Sequence, residues 1–374
     1  MYKVMTIVGT RPELIKLSIL IKELDKYSDH ILVHTGQNYD YELNEIFFKD
    51  LNIRKPDYFL NTGSKTAIKT ISKIIEKSED VMLKEKPDAL VIYGDTNSCL
   101  SVISAKRSKI PIFHMEAGNR CFDLRVPEEI NRKIVDHLSD INFVLTEHAR
   151  RYLEAEGINK NMIIKTGSHM LEVLNKYKSQ YLKSNVLKTL KLSKRRYFLF
   201  SIHREENVDD KHNLALILES MNSLIDIYKL PVIVSTHPRT KEKLSKVRNK
   251  HKNFDKIKFL KPFGFFDYIH LQTNALCVVS DSGTITEESS ILGFPAITIR
   301  NMHERPEGMD EGILIMSGLK VSNVLDSIKI TIDLFKRKTK MNSVQDYNSE
   351  NSSIKIVKAI YSYIEYVDKN VWKK

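Results

Sequence analysis

Several short stretches of the chain set charged or small polar residues where an apolar, strand-like run stops. In "ALCVVS" followed by "DSGTITEESSILGFPAITIR", the run ends at Asp281. Ser282, Gly283 and Thr284 follow, then Glu287 and Glu288, then a helix-like pattern. Small residues at a strand-to-helix turn expose backbone N–H groups, and a helix start suits phosphate. Thr284 and Glu287 have the T-x-x-E spacing of a capping box, which gives Glu287 a local role. Glu288 is then free to accept hydrogen bonds from ribose hydroxyls, as carboxylates do in other nucleotide-binding folds. Phosphate and ribose side by side point to a nucleotide.

The remaining stretches supply cations and carboxylates. In "VGTRPELIK", Thr10 suits a cap and Pro12 a first helical turn. Arg11 and Lys16 add two cations beside that helix start, which suits a diphosphate. "LVIYGDTNS" sets Asp95 after Gly94, where Asp95 or Thr96 also serves as an ordinary cap. "FHMEAGNRCFDLRVPEEINR" ends an apolar run at Glu116 and opens a helix with Glu128 and Glu129 behind Pro127. Acidic residues are favoured in any first helical turn. A carboxylate at the end of an apolar strand is costly unless it is used or paired, which singles out Glu116. "FSIHREENV" places His203 and Arg204 where they can hold phosphate oxygens, and "STHPRT" places His237 at another strand end. No G-x-G-x-x-G fingerprint and no H-E-x-x-H spacing occur, so neither a nicotinamide cofactor nor a metal is expected.

Positioning these residues is the task of a repeated strand–helix pattern. "KVMTIV" leads into a helix with Leu14, Leu17, Ile21 and Leu24 at helical spacing. "ILVHT", "DALVIY", "IPIFHM", "INFVLT" and "IIKTG" read as further strands with helices between them. A polar, helical crossing runs over about 168–194. A second series then begins with "YFLFSI", "PVIVST", "KIKFL", "LCVVS" and "PAITIR". Such alternation predicts an α/β fold of two Rossmann-like domains, each a parallel sheet flanked by helices, facing a cleft. The first domain is expected over 1–168 and the second over 169–351, with a C-terminal helix over about 352–374. In open α/β sheets ligands sit beyond the carboxyl ends of the strands, where the residues above fall.

Composition narrows the class. The 374 residues are 42% hydrophobic and 28% charged, as in a soluble globular protein. Cys99, Cys121 and Cys277 are scattered and odd in number, so buried, reduced thiols are expected rather than disulfides or a zinc cluster. The net charge of +12 is spread over the chain, and no compact basic run carries interleaved aromatics. A lysine-rich solvated surface therefore outranks a nucleic-acid partner. No apolar run reaches the roughly 20 residues of a membrane span, so no membrane insertion is expected. The N-terminus goes straight into a strand with no cleavable leader, and a cytoplasmic location is expected.

Seven motifs, "GTRPELIK", "GDTNS", "HMEAG", "PEEINR", "HREEN", "DSGTITEE" and "RNMHERPEG", occur in an order and spacing that resembles the non-hydrolysing UDP-N-acetylglucosamine 2-epimerases over nearly the whole chain. The resemblance implies a glycosyltransferase-B-like fold with the final helix returning to the first half, a homodimer, and no cofactor or metal. It implies that Arg11, Lys16, Asp95, Glu116, Glu128 and His203 line the reaction centre. Ser282, Gly283, Thr284 and Glu288 then look like contacts to diphosphate and ribose, and Arg132, Arg204, His237 and Arg305 like further contacts to a UDP-N-acetylamino sugar. Two stretches depart from the usual family pattern. "GNRCFDLRVPEE" is shorter than usual and resembles the branch acting on UDP-2-acetamido-2,6-dideoxy-L-hexoses. "GQNYDYEL" has Asn38 after Gln37, where many bacterial members carry a Gln-His pair linked to activation by substrate. The rival readings are a glycosyltransferase of the same fold, a hydrolysing epimerase releasing free UDP, and a binder of nucleic acid or anionic surfaces driven by charge.

Overall fold

The computed structural model describes residues 1–37, 48, 50–236, 256–302, 304–338 and 342–374; of residues 205 and 206 it describes the backbone alone. Asn38 and His237 lie outside the described residues. The chain divides into two compact units, Met1–Asn175 with Asp346–Lys374, and Lys176–Gln345.

The sheet of the first unit contains β1 (Lys3–Val8), β2 (Asp29–His34), β3 (Tyr58–Phe59), β4 (Ala89–Tyr93), β5 (Ile112–Ala117), β6 (Ile141–Val144) and β7 (Ile163–Lys165), in the order β3-β2-β1-β4-β5-β6-β7. All described pairings are parallel. A parallel strand is covered on both faces, so its sequence is continuously apolar rather than alternating. "ALVIY" of β4 is buried throughout, and β1 is buried from Val4 to Val8. Strand order reverses beside β1, so the carboxyl ends of β1 and β4 flank a topological switch point.

The sheet of the second unit contains β8 (Phe198–Ile202), β9 (Val232–Thr236), β10 (Ile257–Leu260), β11 (Cys277–Ser280), β12 (Ala296–Thr298) and β13 (Ile315–Met316), in the order β10-β9-β8-β11-β12-β13. Its switch point lies between β8 and β11. Phe198, Phe200, Val232, Val234 and Val279 form its core with the helices Lys211–Tyr228 and Val321–Lys336.

Helix boundaries follow local chemistry. Helix Arg11–Tyr27 has Pro12 in its first turn and buries Leu14, Leu17, Leu20, Ile21 and Leu24. Helix Ala67–Glu85 is capped by Thr66, whose side chain accepts from the Lys69 N–H. The C-terminal helix Ser352–Val367 packs on Arg11–Tyr27 within the first unit. Cys99, Cys121 and Cys277 are buried and free. No helix among the described residues is long and apolar enough to cross a membrane.

Candidate active site

In the first unit, two carboxylates stand at neighbouring strand ends, each paired with a cation. Glu116 leaves β5 at a bulge: Met115 pairs with Phe143 and Ala117 with Val144, so Glu116 is the extra residue. Its φ of 64° lies in the left-handed region, which costs a non-glycine residue energy and turns its side chain away from the regular pleat. Lys16 Nζ lies 2.6 Å from Glu116 Oε2, and the Tyr93 hydroxyl donates to the same oxygen. Lys16 is 4% exposed, a burial that a lysine tolerates only when paired. Asp95 follows Gly94, whose φ of 66° makes the turn out of β4. Its Oδ2 is 2.6 Å from Arg132 Nη2, and Arg132 also lies 3.3 Å from Glu129.

Beneath these pairs the polar groups are mutually committed. Glu13 Oε2 accepts from the Gly9 N–H at 2.6 Å and Oε1 from Thr96 Oγ1 at 2.6 Å, so one carboxyl joins the ends of β1 and β4. Burial raises the Glu13 pKa to about 7 against the opposing pull of these hydrogen bonds. His114 Nε2 lies 2.9 Å from the Gly94 carbonyl and Nδ1 2.8 Å from Asp136, which also holds the buried Arg120 at 2.7 Å. Glu129 is fully buried and accepts from the N–H groups of Cys121 and Phe122, whereas Glu128 is half-buried in the same first turn.

In the second unit the switch point is built on Asp281, which is fully buried. It accepts from the backbone N–H groups of His203 and Arg204, at 3.1 Å and 3.0 Å, and from Asn207 Nδ2 at 3.0 Å. It also pairs with His203 Nδ1 at 3.0 Å. Burial opposes both charges. The imidazolium and the hydrogen bonds nevertheless hold Asp281 at about 2, and the carboxylate raises the His203 pKa above its ordinary value. Arg204 donates to the Asp281 carbonyl at 3.1 Å and to Glu304 at 3.0 Å. Helix Thr284–Leu292 starts one turn away, with Gly283 as its N-cap and Ser282 Oγ 3.0 Å from Thr284 Oγ1. A strand end carrying His203 and Arg204 beside a helix N-terminus is an anion-binding arrangement.

A family model described as UDP-N-acetylglucosamine 2-epimerase matches residues 22–361. The chain belongs to the UDP-N-acetylglucosamine 2-epimerase family. Among solved members of this family, the UDP-N-acetylglucosamine 2-epimerase from Rickettsia bellii is similar with a TM-score of 0.93 and 56% identity, covering 100% of both chains. The Methanocaldococcus jannaschii UDP-GlcNAc 2-epimerase, solved with UDP-GlcNAc and UDP, gives a TM-score of 0.89 and 37% identity over 96% of this chain and 99% of that one. A UDP-2,3-diacetamido-2,3-dideoxy-D-glucuronate 2-epimerase of Pseudomonas aeruginosa is 34% identical over 88% of this chain and 92% of its own length. The chain is thus an isomerase of the UDP-N-acetylglucosamine 2-epimerase type.

Against this family assignment, several local readings need correction. The Thr284–Glu287 capping box is not formed: Gly283 is the N-cap, with no side-chain cap bond, and Glu287 Oε1 instead pairs with Arg305 at 2.9 Å. Glu288 is not free but 6% exposed, accepting from Gln272 Nε2 at 2.6 Å. Lys16 pairs with Glu116, and Arg11 is half-buried in the first turn of its helix. Thr10 makes no side-chain capping bond, and Glu13 of the first turn reaches back to accept from the Gly9 N–H before the cap. Arg132 and Arg305 are buried members of ion pairs. Asp95 with Arg132, and Glu116 with Lys16, stand at neighbouring strand ends of the first unit, and His203 and Arg204 gather on Asp281 just before the 282–284 turn in the second. Sequence reasoning missed Asp281, Glu13 and Tyr93. Asp281 carried the same signal as Glu116, a carboxylate closing an apolar strand. Among the described residues no group of three or more His, Cys, Asp or Glu side chains is arranged to hold a metal ion.

Proposed function

We propose that the chain inverts C2 of a UDP-2-acetamido sugar by eliminating UDP and adding it back. An acid/base group removes the C2 proton, the C–H electron pair forms the C1=C2 double bond, and the C1–O pair leaves with UDP. The 2-acetamidoglucal is reprotonated at C2 from the other face, and UDP re-adds at C1. Atoms and electrons balance without an oxidant or cofactor. Inversion needs an acid/base group on each face of C2, which is why a single carboxylate is insufficient. Asp95, Glu116 and Glu128 are the candidates. The departing diphosphate gathers negative charge, which Arg11, His203, Arg204 and the 282–284 turn offset. Arg132, His237, Glu288 and Arg305 complete the proposed substrate contacts. The observation that carries this reading is the pair of cation-held carboxylates, Glu116 with Lys16 and Asp95 with Arg132, at adjacent strand ends.

For the sugar we propose a UDP-2-acetamido-2,6-dideoxy-L-hexose. The short "GNRCFDLRVPEE" loop supports this choice; its backbone is pinned through Glu129 and its Arg120 through Asp136 and Glu156. UDP-N-acetylglucosamine is the second reading, favoured by the likeness to the Rickettsia bellii protein. The enzyme is proposed to work as a cytoplasmic homodimer supplying surface polysaccharide synthesis.

Proton NMR in D2O with each substrate in parallel tests the proposal. Deuterium at C2 together with a new epimer is expected, and the faster substrate identifies the sugar. Intact sugar without exchange in both tubes would favour a glycosyltransferase, and accumulation of free UDP with free sugar a hydrolysing enzyme.

A further inference from the structure

The bulge that aims Glu116 is strained, and strain persists only where surrounding contacts over-determine it. Two groups contribute such contacts. Lys16 Nζ and the Tyr93 hydroxyl converge on one oxygen, Oε2. Lys16 Nζ also lies over the Tyr93 ring, 5.4 Å from its centroid, so the three side chains form a closed triangle. Tyr93 is 4% exposed and ends β4, directly beside β5, with Tyr93 paired to Met115. Its ring meets that of His169 in a T-shaped arrangement, with centroids 6.0 Å apart. Lysine supplies charge but rotates freely about its stem, whereas the phenol delivers its hydrogen from a rigid, packed ring.

We propose that Tyr93 is a positioning residue for the epimerisation: its phenol hydrogen fixes the aim of the Glu116 carboxylate and stabilises its anion, so that Glu116 stays an effective proton acceptor as the pH falls. This rests on the reading of Glu116 as a group that exchanges a proton with C2. A hydrogen bond to the ionised form favours that form. Without it, the carboxylate protonates at higher pH and rotates out of line.

The test compares Tyr93→Phe, Glu116→Gln and the double variant. Phenylalanine keeps the ring that packs on His169, so the fold is retained; the melting temperature and UDP titration verify this. With Tyr93→Phe, kcat is expected to fall about tenfold or more, the worth of one hydrogen bond to a charged group. The acid limb of kcat/KM should move up by about one pH unit, and UDP affinity should stay unchanged. In the Glu116→Gln background, Tyr93→Phe should cost nothing further. An unmoved acid limb, or an undiminished loss in the double variant, overturns the role of Tyr93 while leaving the epimerase reading intact. Wild-type exchange in Glu116→Gln alone overturns the reading of Glu116, and with it this inference.

Discussion

At the scale of single residues, the deciding terms are charges held out of water. Asp281 has four hydrogen-bond or ion-pair partners and a pKa near 2, so its contribution to stability is present above about pH 4 and is lost as the pH falls through its folded value. His203 gives the opposite sign: its raised pKa means that its share is present at low pH and lost as the pH rises through that folded value. Asp281→Asn is therefore expected to drop the His203 pKa below its ordinary value, because burial and the charges of Arg204 and Arg300 then act without the carboxylate, as imidazole NMR titration would read. It should also weaken UDP binding about tenfold, because the strand-end cations lose their anchor. An unmoved His203 titration would break the link between the two. Glu13 behaves as the buried acid: its pKa rises from 4.5 to about 7 because burial disfavours the anion. Its contribution is complete below pH 4.5 and disappears by pH 7, a change of about 3 kcal/mol at most. Denaturant titrations of Glu13→Gln between pH 4 and 8 should show that slope removed. A slope equal to wild type would assign it to other groups.

At the scale of elements, the alternation of strands and helices and the strand ends were legible because a parallel sheet writes itself as short apolar runs bounded by turn residues. Glu116, Asp95, His203 and the 282–284 turn follow directly from that pattern. What was not legible is what each side chain does once there. The T-x-x-E spacing of Thr284 and Glu287 is local, but Arg305 lies beyond β12 and takes Glu287 instead. The bulge at Glu116 is likewise invisible, since it depends on pairing with β6. Gly9 shows how tightly the elements meet: a Cβ there would stand 1.9 Å from Ser98 Oγ and 2.4 Å from Thr35 Oγ1. Gly9→Ala must push apart β1, the end of β2 and the 3₁₀ turn Asn97–Ser101, at about 1–3 kcal/mol. It should also slow C2 exchange, because Glu13 ties this same corner to the turn bearing Asp95. Adding Ser98→Ala should restore part of the stability, as chemical denaturation would show. No recovery would place the strain elsewhere.

At the scale of the whole molecule, the first unit is closed by its distant C-terminal segment. Asp346 pairs with Lys165 at 2.8 Å and accepts from the Glu147 N–H at 2.9 Å. Asn351 makes no side-chain cap for the helix Ser352–Val367. Glu172 takes over that function from elsewhere in the unit: its Oε2 accepts from Ser352 Oγ at 2.9 Å, the Ser353 N–H at 3.1 Å and Ser353 Oγ at 2.7 Å. An acidic group at a helix start is also favoured by the helix dipole. The helix then lays Ile356, Ile360 and Ile364 against the first unit, and the Tyr361 hydroxyl reaches the carbonyl of Tyr27. Removing Glu172 should cost about 1–2 kcal/mol, the range of a lost cap. In a unit of this size that lowers the melting temperature by about 2–8 °C. Glu172 is not among the residues proposed to contact UDP, so UDP affinity of Glu172→Ala should match wild type while its melting point falls. Calorimetry and UDP titration on the same sample separate these effects. Weaker UDP binding in that variant would mean that the C-terminal segment influences the nucleotide site.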